Sequence, residues 1–388
     1  MKRSQRVLEK VVLCVLITLG LVFVFWNDGP LQKTDDVVTD AIHHKDLPKL
    51  VVEAIKFEVE PKCRENKTFL DQPAFNQQPQ HIKNFLQYKH CREFGMIQNV
   101  PNKCWGREGS RNVFLLLVIK SDPFNQDRRD MVRKTWGKER EFQGVHIRRV
   151  FVSGVSPDQK ERKKLTWLLA TENREHGDIL QWDFLDTFFN LTLKQYKLLQ
   201  WIDEFCPSAR FIFNGDDDVF ANTDNMVDYL LGMNSHQHLY VGHLIHGVGP
   251  IREKRSKYYV PEVVTSSNSY PPYIGGGGIL MSVYTANIIY RTAKNLELFP
   301  IDDVFLGMCL AKAGLAPSSH LGFRTAGIRV PSIQDDSFNP CYYRELLLVH
   351  RFRPYELLLM WDAVHNASLR CAYSPQRNAL EARNLRRW

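Results

Sequence analysis

Three consecutive aspartates, Asp216, Asp217 and Asp218, follow the short apolar segment 211–213 after Asn214 and Gly215. Adjacent carboxylates repel one another, and hard divalent cations prefer such oxygen ligands. Because side chains alternate along a strand, Asp216 and Asp218 are expected to share one side of the chain. Ligands of open α/β sheets bind beyond the carboxyl ends of strands. The pattern therefore predicts a site for a divalent cation and a diphosphate, although an acidic turn after a strand would have the same sequence.

A run of four glycines is the second feature, and it follows the aromatic segment 270–273. The run consists of Gly275, Gly276, Gly277 and Gly278. Glycine lets a backbone approach a ligand closely and adopt positive φ angles. Aromatic rings offer flat surfaces for the faces of sugars. Because the apolar segment 279–281 follows at once, we expect a loop fitted to a ligand rather than a hairpin turn without contacts.

Two further motifs combine charge with a helical context. Asp302 and Asp303 begin an apparent helix, where the helix dipole would stabilise acidic residues in any case. Arg128, Arg129 and Arg133 are spaced along another helical stretch. That spacing suits the recognition of an anion but is also typical of a solvated helix face.

The elements that must position these residues alternate between strands and helices. Apolar segments predict strands at 113–119, 145–155, 178–184, 209–214 and 240–245, and amphipathic spacing predicts helices at 157–176, 190–205, 284–298 and 302–313. The continuous apolar run at 113–119 is typical of a strand buried on both faces. Strands that alternate with helices predict an α/β fold with a mostly parallel central sheet.

Together, the four motifs resemble the β-1,3-glycosyltransferase family of the Golgi. They are RRDMVRKTWG (128–137), FNGDDDVF (213–220), YPPYIGGGGILMS (270–282) and FPIDDVFLGMCL (299–310). Three more segments are similar to its β-1,3-N-acetylglucosaminyltransferase subgroup: FFNLTLK (188–194), KYYVPEV (257–263) and ELLLVHRF (345–352). The resemblance covers roughly residues 91 to 371, and it implies a nucleotide-diphosphosugar transferase domain of the GT-A-like type.

The resemblance also implies a role for individual residues. Asp216 and Asp218 form the D-x-D pair, and together with His350 they would bind Mn²⁺. Asp303 corresponds to the catalytic base. The residues assigned to the nucleotide-sugar donor are Lys120, Ser121, Arg133, Asp216, Asp217 and the four glycines.

The implied reaction is an inverting transfer of N-acetylglucosamine from UDP-GlcNAc to the 3-hydroxyl of a terminal β-galactose, as in core 1 O-glycan extension and poly-N-acetyllactosamine synthesis. Two alternatives stay open: a β-1,3-galactosyltransferase, and a lumenal carbohydrate-binding module without activity. The second alternative predicts loss of the base or of a metal ligand, yet Asp303, Asp218 and His350 are all present. A homodimer or a complex with other Golgi transferases is compatible with this interpretation.

The N-terminal residues predict a membrane anchor. Residues 1–10 carry four basic side chains and one acidic one, and the uncharged apolar run 11–26 follows them. Small residues that would mark a cleavage site are missing after the run, which favours an uncleaved signal-anchor over a cleaved signal peptide. A basic flank stays cytosolic, so we expect a single-pass type II protein of the Golgi membrane. The irregular segment 27–88 is expected to be a stem, and residues 89–388 the lumenal transferase domain.

Composition and modification signals agree with a lumenal location. The 388 residues are 44% hydrophobic and 24% charged, which excludes a disordered or polytopic membrane protein. The net charge of +8 is dispersed, and we expect no nucleic-acid partner in the lumen. Sequons place potential glycosylation sites at Asn66, Asn190 and Asn366. Eight cysteines are present and Cys14 lies in the apolar run, so the remaining odd number should leave at least one unpaired after disulfide formation.

Overall fold

A computed structural model describes residues 63–326 and 338–371 of the chain. The predicted cytoplasmic tail, the predicted anchor at 11–26 and the first part of the predicted stem lie outside the described residues. Within the described ranges, no helix is both long enough and apolar enough to cross a membrane.

Twelve strands, eleven α-helices and three short 3₁₀ helices occur in the described ranges. The strands are β1 Met96–Gln98, β2 Val113–Lys120, β3 Arg140–Phe142, β4 Val145–Val155, β5 Ile179–Leu185, β6 Phe211–Asp216, β7 Val219–Ala221, β8 Tyr240–Ile245, β9 Tyr273–Ser282, β10 Ser318–Ser319, β11 Phe323–Arg324 and β12 Leu348–His350. The helices are α1 Pro73–Asn76, α2 Gln80–Tyr88, α3 Gly106–Gly109, α4 Gln126–Lys134, α5 Gln159–His176, α6 Leu191–Phe205, α7 Thr223–Leu231, α8 Val283–Ala293, α9 Asp302–Lys312, α10 Pro340–Tyr343 and α11 Pro354–Val364.

The central sheet is mixed. Its strand order is β1-β5-β4-β2-β6-β9-β8-β10, and β3 pairs with β4. Strands β5, β4, β2 and β6 run parallel, whereas β9 is antiparallel to both β6 and β8. The prediction of a mostly parallel sheet is therefore correct for these four strands and for the pair β8–β10, whereas β9 and the pairs β1–β5 and β3–β4 are antiparallel. The segment 246–272 joins β8 to β9 without a helix, so it lacks the crossover that parallel neighbours need.

Strand β2 lies at the centre of the sheet because its sequence is apolar on both faces. All side chains from Val113 to Ile119 are buried, as the continuous apolar run predicts. The predicted helices at 157–176, 190–205 and 302–313 correspond to α5, α6 and α9. The helix predicted at 284–298 is shorter and ends at Ala293.

A second, three-stranded sheet forms close to the carboxyl end of β6. Strand β12 is parallel to β11 and antiparallel to β7, and His350 pairs in register with Val219. Because Val219 follows the three aspartates directly, this small sheet brings a late segment of the chain next to them.

The segment 63–88 is folded, which corrects the prediction of an irregular stem up to residue 88. The side chains it buries are Phe75, Ile82, Phe85 and Leu86, and they share an apolar cluster with Tyr259. A disulfide joins Cys63 to Cys91. The sequence pattern is weak here because polar residues separate the buried ones, and each helix is too short to show a clear period.

Two more disulfides, Cys104–Cys206 and Cys341–Cys371, are present in the described residues. Cys309 is buried and free. The expectation that at least one cysteine stays outside the disulfides is confirmed for the described part of the chain.

Candidate active site

The candidate site begins where two parallel strands end together. Lys120 is the last residue of β2 and pairs in register with Asp216, the last residue of β6. Its Nζ lies 3.1 Å from Oδ1 of Asp216 and 3.2 Å from Oδ2 of Asp302. Burial alone would lower the pKa of Lys120, but the carboxylates of Asp216 and Asp302 outweigh it and raise that pKa well above its usual value. Lys120 is therefore a fixed positive charge between two carboxylates.

Asp216, Asp218 and His350 form a cluster with the composition of a metal site. One ligand atom from each of the three lies within 4.8 Å of the others. His350 Nε2 is 3.1 Å from Oδ1 of Asp218. Burial would raise the pKa of Asp218, but its contacts with His350 and Arg128 lower it below the usual value, which keeps the group ionised. Two carboxylates and an imidazole fit Mn²⁺ better than Ca²⁺, which prefers oxygen ligands alone.

Asp217 points into the protein instead of joining that cluster. Its carboxylate accepts hydrogen bonds from Ser121 Oγ at 2.7 Å, Asn125 Nδ2 at 2.9 Å and Arg128 at 3.2 Å. Burial raises the pKa of Asp217 in spite of these donors. Asp217 and Ser121, both predicted to bind the donor, therefore fix the loop after β2 to the acidic segment.

The four glycines lie in β9 and interrupt its pairing with β8. Gly242 pairs with Ile279, but the next β8 residue, His243, pairs with Gly275, so three glycines form a bulge. Gly276 and Gly277 have φ angles of 84° and 92°, which side chains rarely tolerate. A Cβ added to Gly277 would lie 3.4 Å from the His350 ring. The predicted loop is therefore a strand bulge, and Gly277 in it lies against the His350 ring of the metal cluster.

Asp303 lies on the other side of the same bulge. A Cβ added to Gly275 would be 3.6 Å from Oδ2 of Asp303. Burial, followed by the charge of Asp302, raises the pKa of Asp303 to about 8. Asp302 itself is buried and accepts hydrogen bonds from Lys120 at 3.2 Å and Gln195 at 3.5 Å. The two neighbours thus differ in environment: Asp302 is paired with Lys120, whereas Asp303 is half-buried and accepts a hydrogen bond from the Gly276 backbone.

Arg133 does not join the site, which corrects its assignment to nucleotide binding. Its guanidinium donates to Asp178 at 2.8 and 2.9 Å and lies 2.5 Å from Glu172. Arg149 binds the same Asp178 carboxylate at 2.6 Å. Because these buried ion pairs occupy its donors, Arg133 has a structural role between α4 and the start of β5.

Arg128, from the same motif, lies in the site, whereas Arg133 does not. Its Nη1 lies 3.2 Å from Asp217 and 3.5 Å from Oδ2 of Asp218, and its side chain stays partly exposed. Asn125, which donates a hydrogen bond to Asp217, was also not predicted from the sequence. The R-R-x-x-x-R motif indicated that one arginine binds an anion, but not which one.

The three sequons differ in their local environment. The Oδ1 of Asn66 accepts a hydrogen bond from the Thr68 hydroxyl, and Oδ1 of Asn366 accepts one from the Ser368 hydroxyl. Asn190 instead donates to the Leu185 carbonyl at 2.8 Å. Glycosylation at all three positions stays a prediction.

The chain matches one known protein family and is similar to several known proteins. The galactosyltransferase family model matches residues 127–320. The chain is 52% identical over 339 residues to N-acetyllactosaminide beta-1,3-N-acetylglucosaminyltransferase 3 of Homo sapiens, covering 86% of this chain and 90% of the relative. It is 46% identical over 345 residues to the acetylgalactosaminyl-O-glycosyl-glycoprotein beta-1,3-N-acetylglucosaminyltransferase of Homo sapiens, covering 88% of each.

A third relative is UDP-GlcNAc:betaGal beta-1,3-N-acetylglucosaminyltransferase 7 of Rattus norvegicus. It is 46% identical over 317 residues, which cover 81% of this chain and 78% of the relative. The family match supports the predicted GT-A-like α/β fold, with a mixed sheet in place of the mostly parallel one. The chain therefore belongs to the galactosyltransferase family of glycosyltransferases, and its close relatives there are named beta-1,3-N-acetylglucosaminyltransferases.

Proposed function

We propose that the protein is an inverting, metal-dependent β-1,3-N-acetylglucosaminyltransferase. It would transfer N-acetylglucosamine from UDP-GlcNAc to the 3-hydroxyl of a terminal β-galactose on glycoprotein or glycolipid glycans. The observation that carries this proposal is the glycine bulge of β9, which has the cluster Asp216–Asp218–His350 on one side and Asp303 on the other. The names of the relatives support the choice of donor and acceptor.

The metal cluster defines the donor side of the site. Asp216, Asp218 and His350 would hold Mn²⁺, which would neutralise the diphosphate and stabilise the charge of the leaving UDP. Arg128 is partly exposed beside Asp218, and its remaining N–H groups can bind a phosphate oxygen. Of the glycine run, Gly276 is the half-buried member, so its backbone is where the run can approach the donor sugar.

Asp303 defines the acceptor side. As general base, its carboxylate takes the proton of the galactose 3-hydroxyl while that oxygen forms a bond to C1 of the donor sugar. The bond between C1 and the UDP oxygen breaks at the same time, and UDP leaves with the electron pair. One displacement inverts the α-linked donor to a β-linked product, so no covalent enzyme intermediate is needed.

The raised pKa of Asp303 suits this task. A base works best when its pKa lies near the working pH, because it then combines a useful ionised fraction with strong proton affinity. Asp302 contributes negative charge from the adjacent position, and the positive charge of Lys120, which pairs with Asp302, opposes this increase in the pKa of Asp303. Because Asp302 is paired with Lys120, the proposal takes Asp303, which accepts a hydrogen bond from the Gly276 backbone, as the base.

We also propose a type II arrangement in the Golgi membrane, with residues 11–26 as anchor and the transferase domain in the lumen. The basic residues before the apolar run and the disulfides of the described residues support this arrangement. Resistance of the full-length chain to carbonate extraction would support the anchor, and release of a soluble product starting near residue 27 would contradict it.

The experiment that tests the function is a transfer assay with the purified full-length chain. It is incubated with Mn²⁺, a galactose-terminated disaccharide and either UDP-GlcNAc or UDP-galactose, and the linkage of the product is determined by NMR. We expect transfer from UDP-GlcNAc and a β-1,3 linkage. Transfer of galactose would support the β-1,3-galactosyltransferase alternative, and binding of the disaccharide without any transfer would support the inactive carbohydrate-binding module.

A further inference from the structure

The ring of Tyr273 lies beside the base. Tyr273 pairs in register with Ile245, two strand positions away from the pair of Gly275 with His243. A Cβ added to Gly275 would be 3.5 Å from Cε2 of Tyr273 and 3.6 Å from Oδ2 of Asp303. Because Gly275 has no side chain, the edge of the Tyr273 ring, the Asp303 carboxylate and Cδ1 of Ile245 converge over the same point of the strand.

A second group of aromatic side chains lies next to Tyr273. Tyr258 is 43% exposed, and its ring meets the half-buried ring of Phe188 edge-on at 5.5 Å. Lys257 Nζ lies 4.6 Å from the centre of the Phe188 ring and stabilises its orientation. Burial raises the pKa of Tyr273, and the nearby groups Asp303 and Tyr258 raise it further.

The N-terminal helices hold this group in position. Tyr259, the neighbour of Tyr258, is buried against α1 and α2, and its hydroxyl donates to Gln78 at 2.9 Å. On the other side, His81 of α2 stacks on Phe189 at 4.6 Å. The exposed ring of Tyr258 is therefore attached to fixed backbone rather than to a free loop.

An exposed aromatic ring on fixed backbone beside a catalytic base has the chemistry of a sugar-binding surface. A β-galactose ring presents its C3, C4 and C5 hydrogens on one face, and this apolar face packs on aromatic rings, while hydroxyl groups point outward. A galactose packed on Tyr273 would have its 3-hydroxyl directed toward the side where Asp303 lies. The sugar that precedes it would extend toward the more exposed Tyr258.

We propose that Tyr273, Tyr258 and Phe188 form the acceptor-binding surface, on which the terminal galactose lies against Tyr273 and the preceding sugar lies against Tyr258 and Phe188. This inference rests on the proposed function, because it takes Asp303 as the base of the transfer. Tyr258 then favours the binding of disaccharide acceptors over simple galactosides, because only a disaccharide has a second sugar to contact it.

Kinetics with two acceptors test this surface in the full-length chain. One acceptor is galactose β-linked to an N-acetylhexosamine, and the other is methyl β-galactoside. We expect Tyr258→Ala to raise the KM for the disaccharide about tenfold, as loss of one aromatic contact predicts, and to leave the KM for methyl β-galactoside and for UDP-GlcNAc unchanged. Tyr258→Phe keeps the ring and should restore the disaccharide KM.

The control is Tyr284→Ala. Tyr284 is also 43% exposed but follows the other end of β9, so its loss should change no KM. An unchanged disaccharide KM in Tyr258→Ala, or an equal loss for both acceptors and the donor, would overturn the assignment. If the wild type transfers no sugar, disaccharide binding in the presence of UDP and Mn²⁺ is measured by saturation-transfer NMR. Equal binding by wild type and Tyr258→Ala then refutes the surface, and weaker binding by the variant supports it independently of turnover.

Discussion

Nζ of Lys120 lies 3.2 Å from Oδ2 of Asp302, and this contact joins the last residue of β2 to the first residue of α9. The same ammonium group lies 3.1 Å from Asp216. One cation therefore connects a metal-cluster carboxylate with the helix that carries Asp303. The contact also distinguishes the two adjacent aspartates, because Asp302 is paired with Lys120, whereas Asp303 accepts a hydrogen bond from the Gly276 backbone.

Asp303→Asn should remove most of the activity. Asparagine keeps the shape of the side chain but cannot take a proton, and a general base contributes roughly 10²–10⁴-fold to the rate. We expect kcat to fall by about that factor. Binding of UDP and Mn²⁺, measured by calorimetry, should stay near that of the wild type. If Asp302→Asn is inactive and Asp303→Asn is not, the two roles are reversed.

The pH dependence should follow the ionisation of Asp303. Its pKa is raised to about 8 by burial and then by Asp302, and the base acts only when deprotonated. The rate should therefore rise with pH and level off above this pKa. Asp302→Asn removes the neighbouring negative charge, which lowers the pKa of Asp303 and moves the rising limb to lower pH. An identical limb in both proteins would show that another group is titrating.

Asp218→Asn should act through the metal. The substitution removes a negative charge that faces His350 at 3.1 Å, so the concentration of Mn²⁺ for half-maximal activity should rise by at least tenfold, while the melting temperature stays similar. Asp224→Asn is a matched control, since Asp224 also faces a histidine, His365, at 3.3 Å and is outside the cluster. Full activity of the wild type in excess chelator would contradict a metal role for the cluster.

Arg128 and Arg133 should give opposite results. Arg133→Met breaks buried ion pairs with Asp178 and Glu172 and should destabilise the fold by about 3–5 kcal/mol, with an unchanged KM for UDP-GlcNAc at temperatures where the variant is folded. Arg128→Met loses a partly exposed contact beside Asp218. It should raise the KM for UDP-GlcNAc and leave the melting temperature nearly unchanged. The reverse pattern would restore the nucleotide-binding role to Arg133.

The different positions of Arg128 and Arg133 show which features of the site the sequence alone does not predict. The apolar runs predicted β2, β4, β5 and β6, because burial on both faces leaves a continuous signal in the sequence. The two arginines, in contrast, are five positions apart on one helix and so point about 140° away from each other. Which of them faces the site depends on how α4 is rotated against the sheet, and that rotation is a property of tertiary packing.

The metal cluster and the segment 63–88 also depend on contacts between residues that are far apart in the sequence. His350 lies 132 residues after Asp218, and only the family resemblance connected the two before the structure did. The folded segment 63–88 escaped prediction because its apolar side chains are few and are buried against a distant partner, Tyr259. The local sequence of this segment does not show that it packs against a residue more than 150 positions later in the chain.

Cys63→Ser should weaken acceptor binding from a distance. The Cys63–Cys91 disulfide closes a loop of 28 residues that contains α1 and α2, and loops of this length gain about 3 kcal/mol from closure. These helices hold Tyr259, and through it Tyr258, so loosening them should raise the KM for the disaccharide acceptor. The KM for UDP-GlcNAc should not change, because the donor residues lie elsewhere.

Cys341→Ser provides the comparison for that prediction. The Cys341–Cys371 disulfide spans 30 residues, so its removal should cost similar stability, but it lies in the C-terminal segment and has no contact with the helices α1 and α2. Both variants are compared by melting temperature and by KM for donor and acceptor. A rise in acceptor KM confined to Cys63→Ser would tie the N-terminal helices to acceptor binding. Equal acceptor KM values in both variants would show that the segment only stabilises the fold.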